Sequence, residues 1–515
     1  MDLKRKIAQL ICIEIRMNLL INDQDIEKIK ESVRTHQWGS IIIFDGEIKS
    51  TAKLIDELQQ VSDIPLFVCS DLERGLGQHF KGGTNIPSNM ALGATNNLDL
   101  AYKAGKVTAQ EAKEIGINVV FSPSADVNNN PDNPIINIRA YSEKPQQVAD
   151  FAQAFINGCE AEGVMSTAKH FPGHGDVSID SHVKLPILKK SRKALDEMEL
   201  YPFKQIIRND VPAIMTAHIS IAAIDKSKAP ATLSKQVVTD LLRNELGFNG
   251  IIFTDALNMG GLINENQQSN EIRAILAGCD ILLMPPEPDK VLTDLIEAVK
   301  NNVIPIEIID NAYNRIQIYK EKYSISSYKK DLKRINTEKN KNLSRLIAKN
   351  ALTKIKGKIK FPLTNTKPEN ILNILIDQDD DQTRWEKYSL DLKDNYGVET
   401  FVLGSKINNQ NLDDLLEKVR DKEINIISFF SQIRAWKDNM YPDKKILTWI
   451  KSNLLDKKNT VVITFSNPYL IKNLNGINDY YCTYSDSIES QQAVTQMLFN
   501  NLKPEGLSPV TLINK

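Results

Sequence analysis

The chain has 515 residues, enough for one large barrel plus a smaller domain, or for about three domains of ordinary size. Lys and Arg total 64 against 65 Asp and Glu, a formal net charge of −1, so there is no overall basic field to hold a nucleic acid. Hydrophobic residues at 42% and charged residues at 25% form an ordinary globular mixture, which excludes disorder, collagen and a disulfide-rich miniprotein.

Cys12, Cys69, Cys159, Cys279 and Cys482 are scattered and mostly sit in or beside apolar runs, where a free thiol behaves as a small hydrophobe. No stretch approaches the roughly 18 apolar residues of a membrane span. Lys4, Arg5 and Lys6 precede an apolar patch in the manner of a leader peptide. Gln9 and Glu14 interrupt that patch, and no small-residue cleavage site follows. A cytoplasmic location is the expectation, with a removed leader as the alternative.

Eight short runs rich in Ile, Val and Leu recur in the first two-thirds: Leu10–Ile15, Ser40–Phe44, Leu66–Ser70, Asn118–Phe121, Val164–Ala168, Ala213–Ala217, Ile251–Thr254 and Asp280–Met284. Each is continuous rather than alternating, as in strands buried on both faces of a parallel sheet. Amphipathic segments such as Leu98–Glu114, Pro145–Glu162 and Lys235–Glu245 lie between them. This α/β alternation predicts a (β/α)8 TIM-like barrel over residues 1–325, with a doubly wound sheet as the alternative. From 326 to 360 basic residues outnumber acids and apolar residues thin out, which reads as a solvated helical linker rather than a patch for an anionic partner. Residues 361–515 resume the pattern, with strands expected at Ile371–Ile376, Thr400–Leu403, Ile424–Phe430, Thr460–Phe465 and Tyr480–Tyr484. Helical segments at Leu412–Val419 and Ser490–Asn500 complete a smaller α/β sandwich domain.

All six His residues precede position 219: His36, His79, His170, His174, His182 and His218. Five follow or end a predicted strand, and the carboxyl ends of barrel strands form the active-site face. His36, beside Trp38 in a helix-to-strand connection, reads as a surface or packing residue. The densest segment is Lys169-His170-Phe171-Pro172-Gly173-His174-Gly175-Asp176, continuing to Asp180-Ser181-His182. It begins where an apolar run stops, and its Gly and Pro residues make a loop. Three His and two Asp also permit a zinc site, but the i, i+4 His spacing with a Glu is missing, so no metal is expected.

Asp180 and His182 are two apart, so in an extended loop both side chains project to one side. The carboxylate can then fix one ring nitrogen and leave the other for proton transfer, unless the pair is simply solvated. The four-residue run Ile251–Thr254 delivers Asp255 directly at its C-terminal end, where a carboxylate can attack an electrophilic carbon; a helix N-cap is the alternative. Asp71 follows its strand in the same way, and Arg139 lies in a loop with Asn128, Asn129, Asn130, Asn133 and Pro134. Asp, Arg, Lys and His converging on one rim suit a hydroxyl-rich ligand.

Together these segments resemble family 3 glycoside hydrolases, in their β-N-acetylglucosaminidase (β-hexosaminidase) branch. The family pattern matches Lys169–Gly175 and Asp180–His182 without a gap, and the likeness extends through Asp71–Gly75, Gly82-Gly83-Thr84, Ser122–Pro134 and Thr254–Met259. The resemblance implies a retaining double displacement with Asp255 as nucleophile and His182 as general acid and then base, oriented by Asp180. It further implies that Asp71 binds sugar hydroxyls and that Arg139, Lys169 and His170 hold the N-acetylglucosamine ring. His174 would support the loop, and with His79 and Met259 it completes the set expected around the substrate. His79 falls where close relatives often carry Arg.

The implied substrate is a terminal β-linked N-acetylglucosamine, from an oligosaccharide or a muropeptide of peptidoglycan turnover, with no metal or organic cofactor. The expected assembly is a monomer or homodimer with no nucleic-acid partner, and the second domain is expected to be structural. A β-N-acetylglucosaminide phosphorylase or a β-glucosidase of the same family is the alternative. A non-catalytic sugar-binding protein is the third reading, disfavoured because a binding module needs no nucleophile.

Overall fold

Burial on both faces makes the eight apolar runs parallel strands. They are β1 (Ile11–Arg16), β2 (Ser40–Phe44), β3 (Phe67–Ser70), β4 (Val119–Val120), β5 (Met165–Phe171), β6 (Ala213–Thr216), β7 (Ile251–Phe253) and β8 (Leu282–Leu283). Each pairs in parallel with the next from β1 to β7, and β8 pairs in parallel with β1. A parallel bridge between Phe253 and Ile281 joins β7 to the residue before β8, so the sheet closes into a barrel and the doubly wound alternative falls. This computed structural model describes residues 1–178, 184–262, 268–324, 328–431, 433, 440–455 and 459–512. Among them no helix is long and apolar enough to cross a membrane.

One strand differs from its apolar run in a way that matters for the site. β5 continues past Ala168 through Lys169 and His170 to Phe171, although these two residues are polar and the sequence placed them in a loop. The reason is backbone pairing. Ala125 N–H donates to Lys169 O at 2.6 Å, Lys169 N–H donates to Pro123 O at 3.1 Å, and Ala217 N–H donates to Phe171 O at 2.8 Å. The register against β6 shifts between Ala168 and Phe171, and the Lys169–His170 peptide is cis.

The chain divides into two compact units. The first comprises residues 1–85, 101–133 and 144–341; the second comprises 86–100, 134–143 and 342–515. Residues 328–340 therefore belong with the barrel and are not a solvated linker. The helix Leu98–Ile115 carries Glu111 and Glu114, both fully buried. Glu111 accepts from Thr84 N–H (2.9 Å) and Oγ1 (2.6 Å), Asn336 N–H (2.8 Å) and Asn340 Nδ2 (2.6 Å). Glu114 accepts from Tyr328 Oη (2.5 Å) and Asp331 N–H (2.7 Å) and pairs with Arg334 at 2.7 Å. A buried carboxylate needs such donors, and this polar segment supplies them.

In the second unit, β9 (Thr353–Lys356), β10 (Ile371–Asp377), β11 (Glu399–Leu403), β12 (Ile424–Phe430), β13 (Thr460–Thr464) and β14 (Asp479–Cys482) form one sheet. Its order is β9-β14-β13-β12-β10-β11, parallel except for the antiparallel pair β9–β14. One core cluster includes Leu415, Ile446 and Ile450 with Met90, Ala91 and Ile138, and another includes Tyr388, Leu392, Val494 and Met497. Hydrophobic layers thus cover the sheet in the manner expected of an α/β sandwich. Strand β9 lies within the stretch read as a linker because Lys354 and Lys356 hide its pattern. Lys is a usual guard residue on an edge strand.

At the amino side of the barrel a lysine is buried with no carboxylate partner among the described residues. Lys320 is 6% exposed; its Nζ donates to Gln9 Oε1 at 2.6 Å, and Gln9 Nε2 donates to Gln37 O at 2.7 Å. Burial pushes its pKa from the ordinary 10.5 down to about 7, against a smaller upward pull from Cys69 and Cys12. The folded value lies below the unfolded one, so its contribution to stability is full above pH 10.5 and is lost as pH falls toward 7. Lys320→Met is expected to melt at a higher temperature than the parent at pH 7, with the gap narrowing toward pH 10. Thermal unfolding across that range checks this, and a gap independent of pH would contradict it.

Candidate active site

The carboxyl ends of β3, β5 and β7 deliver Asp71, Lys169 and Asp255 to one rim of the barrel. Lys169 is 2% exposed, and its Nζ lies 2.6 Å from Asp71 Oδ1 and 2.8 Å from Glu73 Oε1. A buried ammonium between two carboxylates fixes both of them in place. The Asp71 side chain stays one-third exposed, at 32%, while Glu73 is buried. Asp71 can thus accept hydrogen bonds from a hydroxyl-rich ligand while Lys169 holds it.

His170, the next residue along β5, points its Nδ1 at Asp126 Oδ2, 2.7 Å away. Asp126 is fully buried and also accepts from Ser124 Oγ (3.0 Å), His174 N–H (2.7 Å) and His170 N–H (3.3 Å). Burial alone would raise its pKa, but the charge and hydrogen bond of His170, with help from His174, hold it at about 2. Asp126 is therefore an anion at neutral pH, and it fixes the proton of His170 on Nδ1.

His174 is 2% exposed and packs edge-on to His170, with ring centroids 5.9 Å apart. Burial and the neighbouring His170 push its pKa down to about 4, while the charges of Asp126 and Asp255 pull the other way. It is neutral at pH 7. Its carbonyl and that of Gly175 accept from Asn133 Nδ2 at 2.8 and 3.0 Å. The glycines of the segment are sterically required. Gly173 has φ +125°, and a Cβ on Gly175 would lie 1.7 Å from Val127 O.

Asp255 follows β7 after Thr254, which anchors the turn: Thr254 N–H donates to Ile281 O at 3.0 Å, and its Oγ1 accepts from Leu283 N–H at 2.8 Å. Asp255 Oδ1 accepts from the adjacent Ala256 N–H at 2.8 Å. The next helical turn, a 3-10 turn, begins at Gly260, so the N-cap alternative fails. The fully buried His218 sits beside this turn, with Nε2–H donating to Ala256 O at 3.0 Å and Nδ1 2.9 Å from Thr232 Oγ1. Met259, 5% exposed, closes the turn through N–H to the same carbonyl at 3.2 Å.

Two of the expected residues, His79 and Arg139, have described contacts of their own. His79 lies 3.2 Å from Asp45 Oδ1, beyond β2, and edge-on to Phe44. Arg139 belongs to the second unit, where its carbonyl accepts from Asn89 Nδ2 at 2.8 Å and its N–H donates to Ile136 O at 2.6 Å. Asp180 and His182 lie outside the described residues. His36 stacks on Trp38 at 4.7 Å. Among the described residues no group of three or more His, Cys, Asp or Glu side chains is placed to hold a metal ion. Sequence reasoning gave no role to Glu73 or Asp126, and it placed Asn133 in a polar loop and His218 at a strand end without their partners. A signal was present for Asp126, in the polar run Ser122–Asn130 just after β4.

The neutral burial of His174 gives a pH signature. Its folded pKa lies below the ordinary 6.5, so the stability it contributes is complete above pH 6.5 and is lost as pH falls toward 4. His174→Asn is expected to remove about 3 kcal/mol of the stability lost over that window. Denaturant unfolding of parent and variant between pH 7 and 4 measures the difference; parallel profiles would refute the assignment.

The model of the glycosyl hydrolase family 3 N-terminal domain matches residues 2–318. Beta-hexosaminidase A of Pseudoalteromonas piscicida is 36% identical over 334 residues, covering 58% of this chain and 56% of that protein, little more than half of the relative's length. The structure of a glycoside hydrolase family 3 beta-N-acetylglucosaminidase from Paenibacillus sp. str. FPU-7 superposes with a TM-score of 0.88 at 29% identity, covering 100% of both chains. A beta-glucoside phosphorylase reaches the same TM-score of 0.88 at 24% identity, over 100% of this chain and 95% of that one, a likeness of fold alone. With the family model matched over more than half of its length, the chain belongs to glycosyl hydrolase family 3.

Proposed function

We propose that the protein is a retaining exo-β-N-acetylglucosaminidase. In this reading Asp255 attacks the anomeric carbon of a terminal β-linked N-acetylglucosamine while His182 protonates the departing oxygen. A covalent ester on Asp255 results. His182 then takes a proton from water, whose oxygen displaces Asp255 and restores the β configuration. Asp180 orients His182 through one ring nitrogen. Using a histidine here avoids setting a second carboxylate against the nucleophile, where like charges would disturb both titrations.

The observation that carries this reading is the buried Lys169 bridging Asp71 and Glu73 on the rim that also bears Asp255. Such a cluster supports binding of hydroxyls beside a nucleophile. Arg139 and His170 would join Asp71 and Lys169 in holding the sugar ring. His79 and Met259 complete its surroundings, and His174 supports the loop. The finer proposal is a cytoplasmic enzyme of cell-wall turnover acting on muropeptide fragments. The names of the Pseudoalteromonas and Paenibacillus relatives support the N-acetylglucosamine part of it.

Nitrophenol release from the β-N-acetylglucosaminide is expected to exceed release from the matched β-glucoside in phosphate-free buffer. Asp255→Ala should lower kcat by about 10³-fold or more, and a slow fluorinated substrate should leave an adduct on Asp255. Normal turnover by Asp255→Ala would sink the assignment, and release that requires phosphate with formation of a sugar 1-phosphate would replace hydrolysis by phosphorolysis. Lys169→Met, which leaves Asp71 and Glu73 facing each other, is expected to lower kcat/KM about 10²-fold, read by steady-state kinetics.

A further inference from the structure

At the amino ends of β7 and β8, opposite the end that bears Asp255, a groove of about 800 Å³ is lined by Lys235, Arg243, Arg273, Asp280, Asn311 and Arg315 among others. Its charges do not balance. Asp280 is 1% exposed and is shared by two guanidinium groups, Arg243 Nη2 at 2.5 Å on Oδ2 and Arg315 Nη1 on Oδ1. Asp280 Oδ2 also accepts from Ile252 N–H at 2.7 Å, and Arg243 Nη1 donates to Phe248 O at 3.0 Å and Gly250 O at 2.5 Å. These bonds hold the groove's floor to the start of β7.

One carboxylate against two guanidiniums leaves a positive charge in excess. Lys235 and Arg273 add two more cations, and neither side chain has an ion pair or hydrogen bond among the described residues. Asp225, whose carboxyl is lowered in part by the charge of Arg273, is itself bonded to Ser227 N–H at 2.8 Å and Ser234 Oγ at 2.5 Å. The nearly neutral chain therefore carries a locally cationic concavity, in which guanidiniums can meet oxyanions through paired N–H donors. A volume of this size accommodates a metabolite rather than a single ion.

We infer that this groove binds a small multivalent oxyanion, of the phosphate-ester or polycarboxylate kind. Binding is independent of the glycosidase reading and lies at the opposite end of the barrel. The test is isothermal titration of the full chain with pyrophosphate and, separately, with citrate, at an ionic strength held constant with sodium chloride. Saturable binding of at least one anion, accompanied by a higher melting temperature, is expected. Pyrophosphate alone would mark a phosphate-ester site, citrate alone a polycarboxylate site, and either supports the inference. The double variant Lys235→Ser with Arg273→Ser removes no described hydrogen bond or ion pair, so it should fold as the parent does. It should bind at least tenfold more weakly while releasing nitrophenol at the parent rate without the anion. No saturable binding of either anion, or equal binding by the double variant, would overturn the inference.

Discussion

Lys169 is an ammonium almost wholly withdrawn from water, and such a charge is tolerated only while its two carboxylate partners hold still. Much of the rim's construction serves that condition. β5 extends two polar residues beyond its apolar run, and the segment after β4 supplies the backbone partners that let it do so. The same segment brings Asp126 beneath His170, so adjacent residues of one strand are each fastened to a buried carboxylate from a different loop, Lys169 to Glu73 and His170 to Asp126. The glycines at 173 and 175 then allow the chain to leave the strand past Val127 without a clash.

The two ends of the barrel treat buried charge differently. At the carboxyl rim, ions are paired with ions, and the geometry of each is set by the other. At the amino side, Lys320 donates to the amide of Gln9 and lies over the ring of Phe67, and burial shifts its titration instead. Asp280 takes a third course, with two guanidiniums and a backbone N–H on one carboxylate that helps fix the start of β7. That short strand leads to Asp255, so the strand's entrance and exit are each tied down, the latter by Thr254 and His218.

The barrel was legible because strands buried on both faces must be continuously apolar, as Ser40–Phe44 and Ile251–Phe253 are. The clustering of His and Asp at strand ends located Lys169, His170, His174 and Asp255 on the same ground. What stayed hidden depended on partners distant in sequence. Glu111 and Glu114 read as ordinary members of a helix face, yet they strap residues 328–340 to the barrel. Arg139 reads as a loop residue after the barrel's fourth strand, but its segment belongs to the second unit, and no local pattern encodes that. β9 alternates Lys with β-branched residues, a pattern that suits an exposed edge and is indistinguishable from a basic linker in one sequence.

Charge also bears on which acceptor suits the proposed reaction. Among the described residues of this rim, Asp71, Glu73, Asp126 and Asp255 stand against Lys169 and, beside Asp126, His170, with His174 neutral at pH 7. An excess of negative charge favours a positively charged, oxocarbenium-like transition state of a neutral sugar. The same field opposes the approach of a phosphate dianion, whereas water enters without that cost. The shared barrel fold leaves hydrolysis and phosphorolysis open, but the electrostatics around Asp255 support the transfer of the sugar to water.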